Sequence, residues 1–124
     1  MNFLMSCAAL LGGSFGVLIR FALIQYREIC LLYTPLQLPT LLVNIIGAFI
    51  AGLLFPKLSC TGTMYSFFII GLCGGMTTMS TCALESYLFI KQGDYLFGLT
   101  NATINLTLSI LLVALGTTLS TKYL

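Results

Sequence analysis

The sequence predicts an all-α membrane protein of four transmembrane helices, on three observations. Of 124 residues, five are Lys or Arg and three are Asp or Glu, a charged share of 6%, where a water-facing surface ordinarily demands about 25%. Hydrophobic residues make up 59% of the chain, and the mean hydropathy is +1.08. Four apolar stretches follow one another, each close to the roughly 20 residues that cross a bilayer. These features exclude a water-soluble monomer and a disordered tail. The net charge of +2 is too small and too scattered for a nucleic-acid partner. The absence of His and Trp removes His-based catalysis and the commonest metal ligand.

The first span is expected from Phe3 to Ile24, with Gly12, Gly13 and Gly16 on it. It is too long for a signal-peptide core, and Met1-Asn2-Phe3 offers no basic n-region, so it is read as a retained span. Arg27 and Glu28 mark its exit, and a loop with Pro35 and Pro39 follows. The second span opens at Pro39-Thr40, since Pro suits a first turn, and stops at Phe55 before Pro56-Lys57. A polar loop from Ser59 to Thr63 leads to the third stretch, Met64 to Ile90. Its middle, Gly71 to Thr81, holds Gly74-Gly75 and Thr77-Thr78-Met79-Ser80-Thr81. Glycine has low helix propensity and hydroxyls compete for backbone bonds, so a helix broken at mid-membrane is expected there. Close packing by small residues explains the same composition. Lys91 to Asp94 form a turn, and the fourth span runs from Tyr95 to about Leu119. Residues 1–124 thus read as a single four-helix transmembrane domain.

Four spans place the N-terminus, Lys57 and Lys122 on one side and Arg27 and Lys91 on the other, with Arg20 near the latter end. Lys and Arg bias normally sets orientation, and this chain has almost none. Insertion both ways, giving an antiparallel two-fold dimer, is therefore the favoured expectation, beside a single topology fixed by a partner or another factor. So thin a protomer hardly encloses a pore alone. The five cysteines, Cys7, Cys30, Cys60, Cys73 and Cys82, are odd in number and lack C-x-x-C spacing. Most of them read as small buried hydrophobes, and a zinc site is not expected.

Polar groups inside apolar spans are costly and so mark candidate functional positions. Asn44 lies in the second span. Asn101, Asn105 and Ser109 recur at i, i+4, i+8 and share one helical face. That stripe reads as a track for a solute or as a polar helix–helix seam. Arg20 either snorkels to the interface or draws anions into a vestibule. Glu85 follows the Gly/Thr run, where its carboxyl is paired, hydrogen-bonded or protonated.

At these residues the sequence resembles the bacterial CrcB/Fluc fluoride channels. The matching pieces are Gly12-Gly13-Ser14-Phe15-Gly16 with Arg20, then Thr40-Leu41-Leu42-Val43-Asn44-Ile45-Ile46-Gly47. The third span supplies Gly71 to Glu85 around Gly74-Gly75-Met76-Thr77-Thr78-Met79-Ser80-Thr81-Cys82, and the fourth ends in Ala114-Leu115-Gly116. The resemblance implies an antiparallel dual-topology homodimer with two fluoride pores in a bacterial inner membrane, exporting cytoplasmic fluoride passively. It implies a structural sodium ion held by the backbone carbonyls of Gly74 and Thr77 of both copies. Asn44, Ser80, Thr81, Asn101, Asn105 and Ser109 would line the pore, and Arg20 would sit at the vestibule. Met79 and Cys82 take pore positions where the family usually has Phe, whose ring edges face the anion. Asn101 and Asn105 stand where the family has Tyr and Ser. A non-conducting partner subunit paired with a paralogous chain is the alternative reading. A small multidrug exporter is a distant one, because the first span lacks the carboxylate that couples protons. No enzyme is expected, since Cys82 has no His base.

Overall fold

The computed structural model describes residues 2–25 and 38–123. Arg27, Glu28, Cys30 and Pro35 lie outside the described residues. Helix α1 spans Phe3–Gln25 and α2 spans Leu38–Leu54, which a single 3-10 turn, Phe55–Lys57, extends. The third stretch has four pieces. They are α3 (Thr63–Tyr65), a π-helical run (Ser66–Cys73), α4 (Gly74–Met76) and, after two extended residues, α5 (Met79–Lys91). Helix α6 spans Tyr95–Tyr123. Among the described residues no strand occurs. Among the described residues, four helical segments are long and apolar enough to cross a membrane: Phe3–Gln25, Leu38–Lys57, Thr63–Lys91 and Tyr95–Tyr123.

The last helix outruns its expected end at Leu119 by one turn. Its hydroxyls bond within the helix: Thr118 Oγ1 donates to the Ala114 carbonyl at 2.8 Å and Thr121 Oγ1 to that of Thr117 at 3.0 Å. A polar side chain that bonds to its own preceding turn need not end a helix. The turn between α5 and α6 is sharper. Gly93 adopts φ +90°, the Asp94 N–H reaches the Phe89 carbonyl at 2.9 Å, and the Gly93 N–H reaches that of Ile90 at 3.0 Å. That pair of bonds is a Schellman closure, which asks for a left-handed residue where Gly93 stands.

Burial is inverted relative to a soluble protein. The buried polar set includes Thr40, Asn44, Ser66, Thr78, Ser86, Asn101 and Asn105, while Leu10, Phe15, Leu18, Leu99, Leu106 and Ile110 are exposed. Lipid gives no hydrophobic drive between helices, so association must come from close packing and interhelical hydrogen bonds. α1 packs along the π-helical run and α4, α2 along α6, and α5 against α6. The first contact is backbone on backbone. A Cβ on Gly12 would run into the Phe67 carbonyl oxygen, and one on Gly16 into that of Leu72. The π winding carries the face that these glycines meet, and sequence periodicity gave no sign of it.

Replacing Gly12 by Val should therefore cost stability by overpacking, about 1–3 kcal/mol, because the obstructing atom is main chain. Unfolding in mixed detergent micelles measures this, and a Gly12→Val protein as stable as the parent would contradict the packing.

Candidate functional site

The site is built around Thr77 and Thr78, which leave the helical region together. Thr77 has φ −76° and ψ 153°, and Thr78 has φ −150° and ψ 106°. Each threonine then serves one side of the gap. Thr77 Oγ1 donates back to the Cys73 carbonyl at 2.9 Å. Thr78 caps α5, its Oγ1 accepting from the Thr81 N–H at 3.2 Å. A short hydroxyl residue before a helix is a preferred N-cap because it satisfies a first-turn donor.

A gap frees main-chain groups, and buried ones must be satisfied. In a continuous helix the Thr78 N–H would go to the Gly74 carbonyl. It donates instead to Asn44 Oδ1 at 2.7 Å, and Asn44 Nδ2 donates to the Thr78 carbonyl at 3.3 Å. Asn44 reaches the gap because Gly47, one turn later on α2, lets the two segments close up. A Cβ there would lie 2.5 Å from Thr77 Cγ2.

From Asn44 the polar contacts run on into α6 and α5. Asn44 Nδ2 donates to Asn105 Oδ1 at 2.9 Å, and Asn105 Nδ2 donates to the Asn101 carbonyl at 3.0 Å. Asn101 Nδ2 donates to Ser86 Oγ at 3.0 Å. The i, i+4 stripe is thus a buried seam over Asn101 and Asn105, which are 1% and 2% exposed. Ser109, half-buried, lines a cleft of about 380 Å³ together with Asn44, Gly74, Thr77, Met79 and Asn105.

The expected site residues divide accordingly. Asn44, Gly74, Thr77, Met79, Asn105 and Ser109 come together at the cleft. Ser80 and Thr81 stand beside it, their hydroxyls 3.2 and 3.0 Å from Thr78 Oγ1. Cys82 and Asn101 do not reach it. Cys82 is fully buried, with its carbonyl 3.5 Å and its Sγ 3.9 Å from Asn101 Nδ2. Arg20, half-buried, points Nη1 at the Thr77 carbonyl from 3.5 Å, beyond the usual range for a strong hydrogen bond. Glu85 accepts from Thr40 Oγ1 at 2.6 Å, the short range typical of a hydroxyl on a carboxylate. Cys7, Cys60, Cys73 and Cys82 are free thiols.

A family model described as CrcB-like protein, camphor resistance (CrcB), matches residues 7–117. The chain belongs to the CrcB-like family. A protein named fluoride-specific ion channel FluC from Pyrococcus abyssi is 34% identical over 120 residues, covering 94% of this chain and 95% of its own. A protein of the same name from Shewanella baltica is 36% identical over 109 residues, covering 86% and 87%. One from Aeromonas salmonicida is 33% identical over 109 residues, covering 85% and 86%. Family and helices together make this CrcB-like chain a multi-pass membrane protein.

Sequence reasoning missed three contributors in this chain. Thr78 was legible as a cap, being a hydroxyl residue at the start of the Met79–Lys91 helix. Ser86, four residues after Cys82, follows the helical spacing that puts it on the face meeting α6. The Thr40–Glu85 bond joins residues far apart in sequence and left no local signal.

Replacing Asn44 by Leu, similar in size, would strand the buried Thr78 N–H and the Asn105 Oδ1 acceptor. Each such group costs about 1–3 kcal/mol. Equilibrium unfolding in detergent should show that loss, and an unchanged midpoint would mean that the gap is held open by something else.

Proposed function

We propose that this chain is a fluoride channel that lets cytoplasmic fluoride leave passively, working as an antiparallel dual-topology homodimer with two pores. The observation that carries the reading is the match of nearly the whole chain to relatives named fluoride-specific ion channels. The geometry supports it, because a gap in an apolar span is tolerated where it faces protein, water or an ion. In the proposed pore the gap lies at mid-membrane. Asn44, Met79, Ser80, Thr81, Asn105 and Ser109 form its wall, with Cys82 and Asn101 behind them, and Arg20 raises the anion concentration at its vestibule. Fluoride sheds much of its water on entering such a path, and hydroxyl and amide donors replace that water without the trapping effect of a fixed cation. Nothing in the geometry or the relatives' names favours a non-conducting subunit or a drug exporter.

A structural sodium ion on the two-fold axis is part of the same proposal. The donor chemistry fits. Among the described residues no cluster of three or more His, Cys, Asp or Glu could hold a metal, so neutral oxygens, main-chain carbonyls among them, would have to serve. The Gly74 carbonyl has lost its helical donor to Asn44, and Gly74 is exposed. The Thr77 carbonyl, next to the gap, is approached by Arg20 only from 3.5 Å. Gly74 and Thr77 of each copy would hold the ion, which would supply positive potential between two anion paths.

Liposomes containing this chain alone should release fluoride on addition of an ionophore that balances charge, followed with a fluoride electrode. A reconstituted dimer that passes no fluoride would defeat the channel reading. Preparing the same liposomes with N-methylglucamine in place of sodium should lower the flux, and an unchanged rate would remove sodium from the account.

A further inference from the structure

The α2–α6 pair carries a second polar contact besides that of Asn44 with Asn105. Each N–H of an α-helix goes to the carbonyl four residues back, so the Gly52 carbonyl would receive from residue 56. That residue is Pro56, which has no N–H. The chain turns 3-10 at this point, over Phe55–Lys57, and the Leu58 N–H goes to the Phe55 carbonyl at 3.4 Å. Gly52 is buried, and a buried carbonyl in an apolar span needs a donor from elsewhere.

Thr117 of α6 supplies one. Its Oγ1 donates to the Gly52 carbonyl at 3.3 Å. The nearby hydroxyls of the same helix behave otherwise. Thr118 and Thr121 donate to carbonyls of their own preceding turn, an arrangement open to any Thr in a helix. Thr117 instead reaches across to a residue 65 positions away in sequence. It gets there because the two helices touch main chain to main chain. A Cβ on Gly52 would run into the Val113 carbonyl oxygen, and one on Gly116 into that of Phe49. On α2 the cleft wall runs from Asn44 to Ala51, and on α6 from Asn105 to Ser109. Asn44 and Asn105 meet at one end of that wall, and Gly52 and Thr117 meet beyond the other.

We propose that Thr117 is a positioning residue: its hydroxyl replaces the donor that Pro56 removes, and so ties α6 to the end of α2 beyond the cleft. Pro56 then has two effects. It ends the helix, and it leaves open the one acceptor that joins this end to its neighbour. The tie does not depend on which ion the cleft carries.

Equilibrium unfolding in mixed detergent micelles tests the tie through a double-mutant cycle on Thr117→Val and Pro56→Ala. Thr117→Val keeps the shape of the side chain and removes the hydroxyl. Alone it should lower the folding equilibrium constant about fivefold, between the average and the largest effects of interhelical hydrogen bonds in membranes. With Pro56→Ala present, residue 56 has its own N–H for the Gly52 carbonyl, so the same change should cost less than about twofold, the non-additivity expected of coupled sites. Thr117→Ser, which keeps the hydroxyl, should retain more stability than Thr117→Val. Ser120, almost one turn further along α6, is the control. Its Oγ is buried and has no partner, so Ser120→Ala should cost nothing. An equal loss from Thr117→Val in both backgrounds, or a loss as large from Ser120→Ala, would overturn the proposal. Should Thr117→Val not fold, the parent protein decides through the NMR signal of the Gly52 carbonyl carbon. It should lie with that of Gly47, whose carbonyl is inside the helical ladder of α2. A position typical of an unbonded carbonyl would overturn the tie.

Discussion

The Asn44 carboxamide closes on the Thr78 peptide from both sides, accepting from its N–H at 2.7 Å and donating to its carbonyl at 3.3 Å. Two extended residues inside an apolar span leave main-chain groups that lipid cannot satisfy, at a cost of several kcal/mol each. One side chain from a neighbouring helix removes most of that cost. Because the Thr78 N–H goes to Asn44, the Gly74 carbonyl is released from its helix, and α5 can start afresh from the Thr78 cap. The gap, the cleft beside it and the freed carbonyls all depend on this reciprocal contact.

The contact in turn needs the helices to approach closely. Gly47 lets α2 reach Thr77, and Gly12 and Gly16 seat α1 on the main chain of the Ser66–Cys73 run. Such contacts suit lipid, where packing and hydrogen bonding must replace the hydrophobic drive between helices. The result is a protomer with apolar side chains outward and a row of amides inward. In the proposed dimer, that row stands between an anion path on the cleft side and the packed interface of α5 with α6.

Much of this was legible in the sequence because burial in lipid leaves strong signals. Eight charges in 124 residues and four long apolar stretches gave the spans to within a turn at most ends. Asn44, Asn101 and Asn105 stood out because a polar residue in hydrocarbon is expensive. What periodicity could not supply was direction. The i, i+4, i+8 spacing puts Asn101, Asn105 and Ser109 on one face, but it cannot say that the first two are sealed in a seam while only Asn105 and Ser109 touch the cleft. Cys82 shows the same limit. Its place in the motif suggests the pore, whereas its side chain is packed against Asn101. The π winding and the Thr40–Glu85 bond arise from contacts between distant segments and have no local signature.

Asn44 holds the Thr78 gap open through its two hydrogen bonds. Site-resolved hydrogen exchange at the Thr78 amide in lipid bilayers, comparing the parent with Asn44→Leu, separates this from any other support. Exchange should be slow in the parent and fast in the variant, while the amides of Ser66–Cys73 stay protected. A Thr78 amide that exchanges equally slowly in both would show that another group holds the gap.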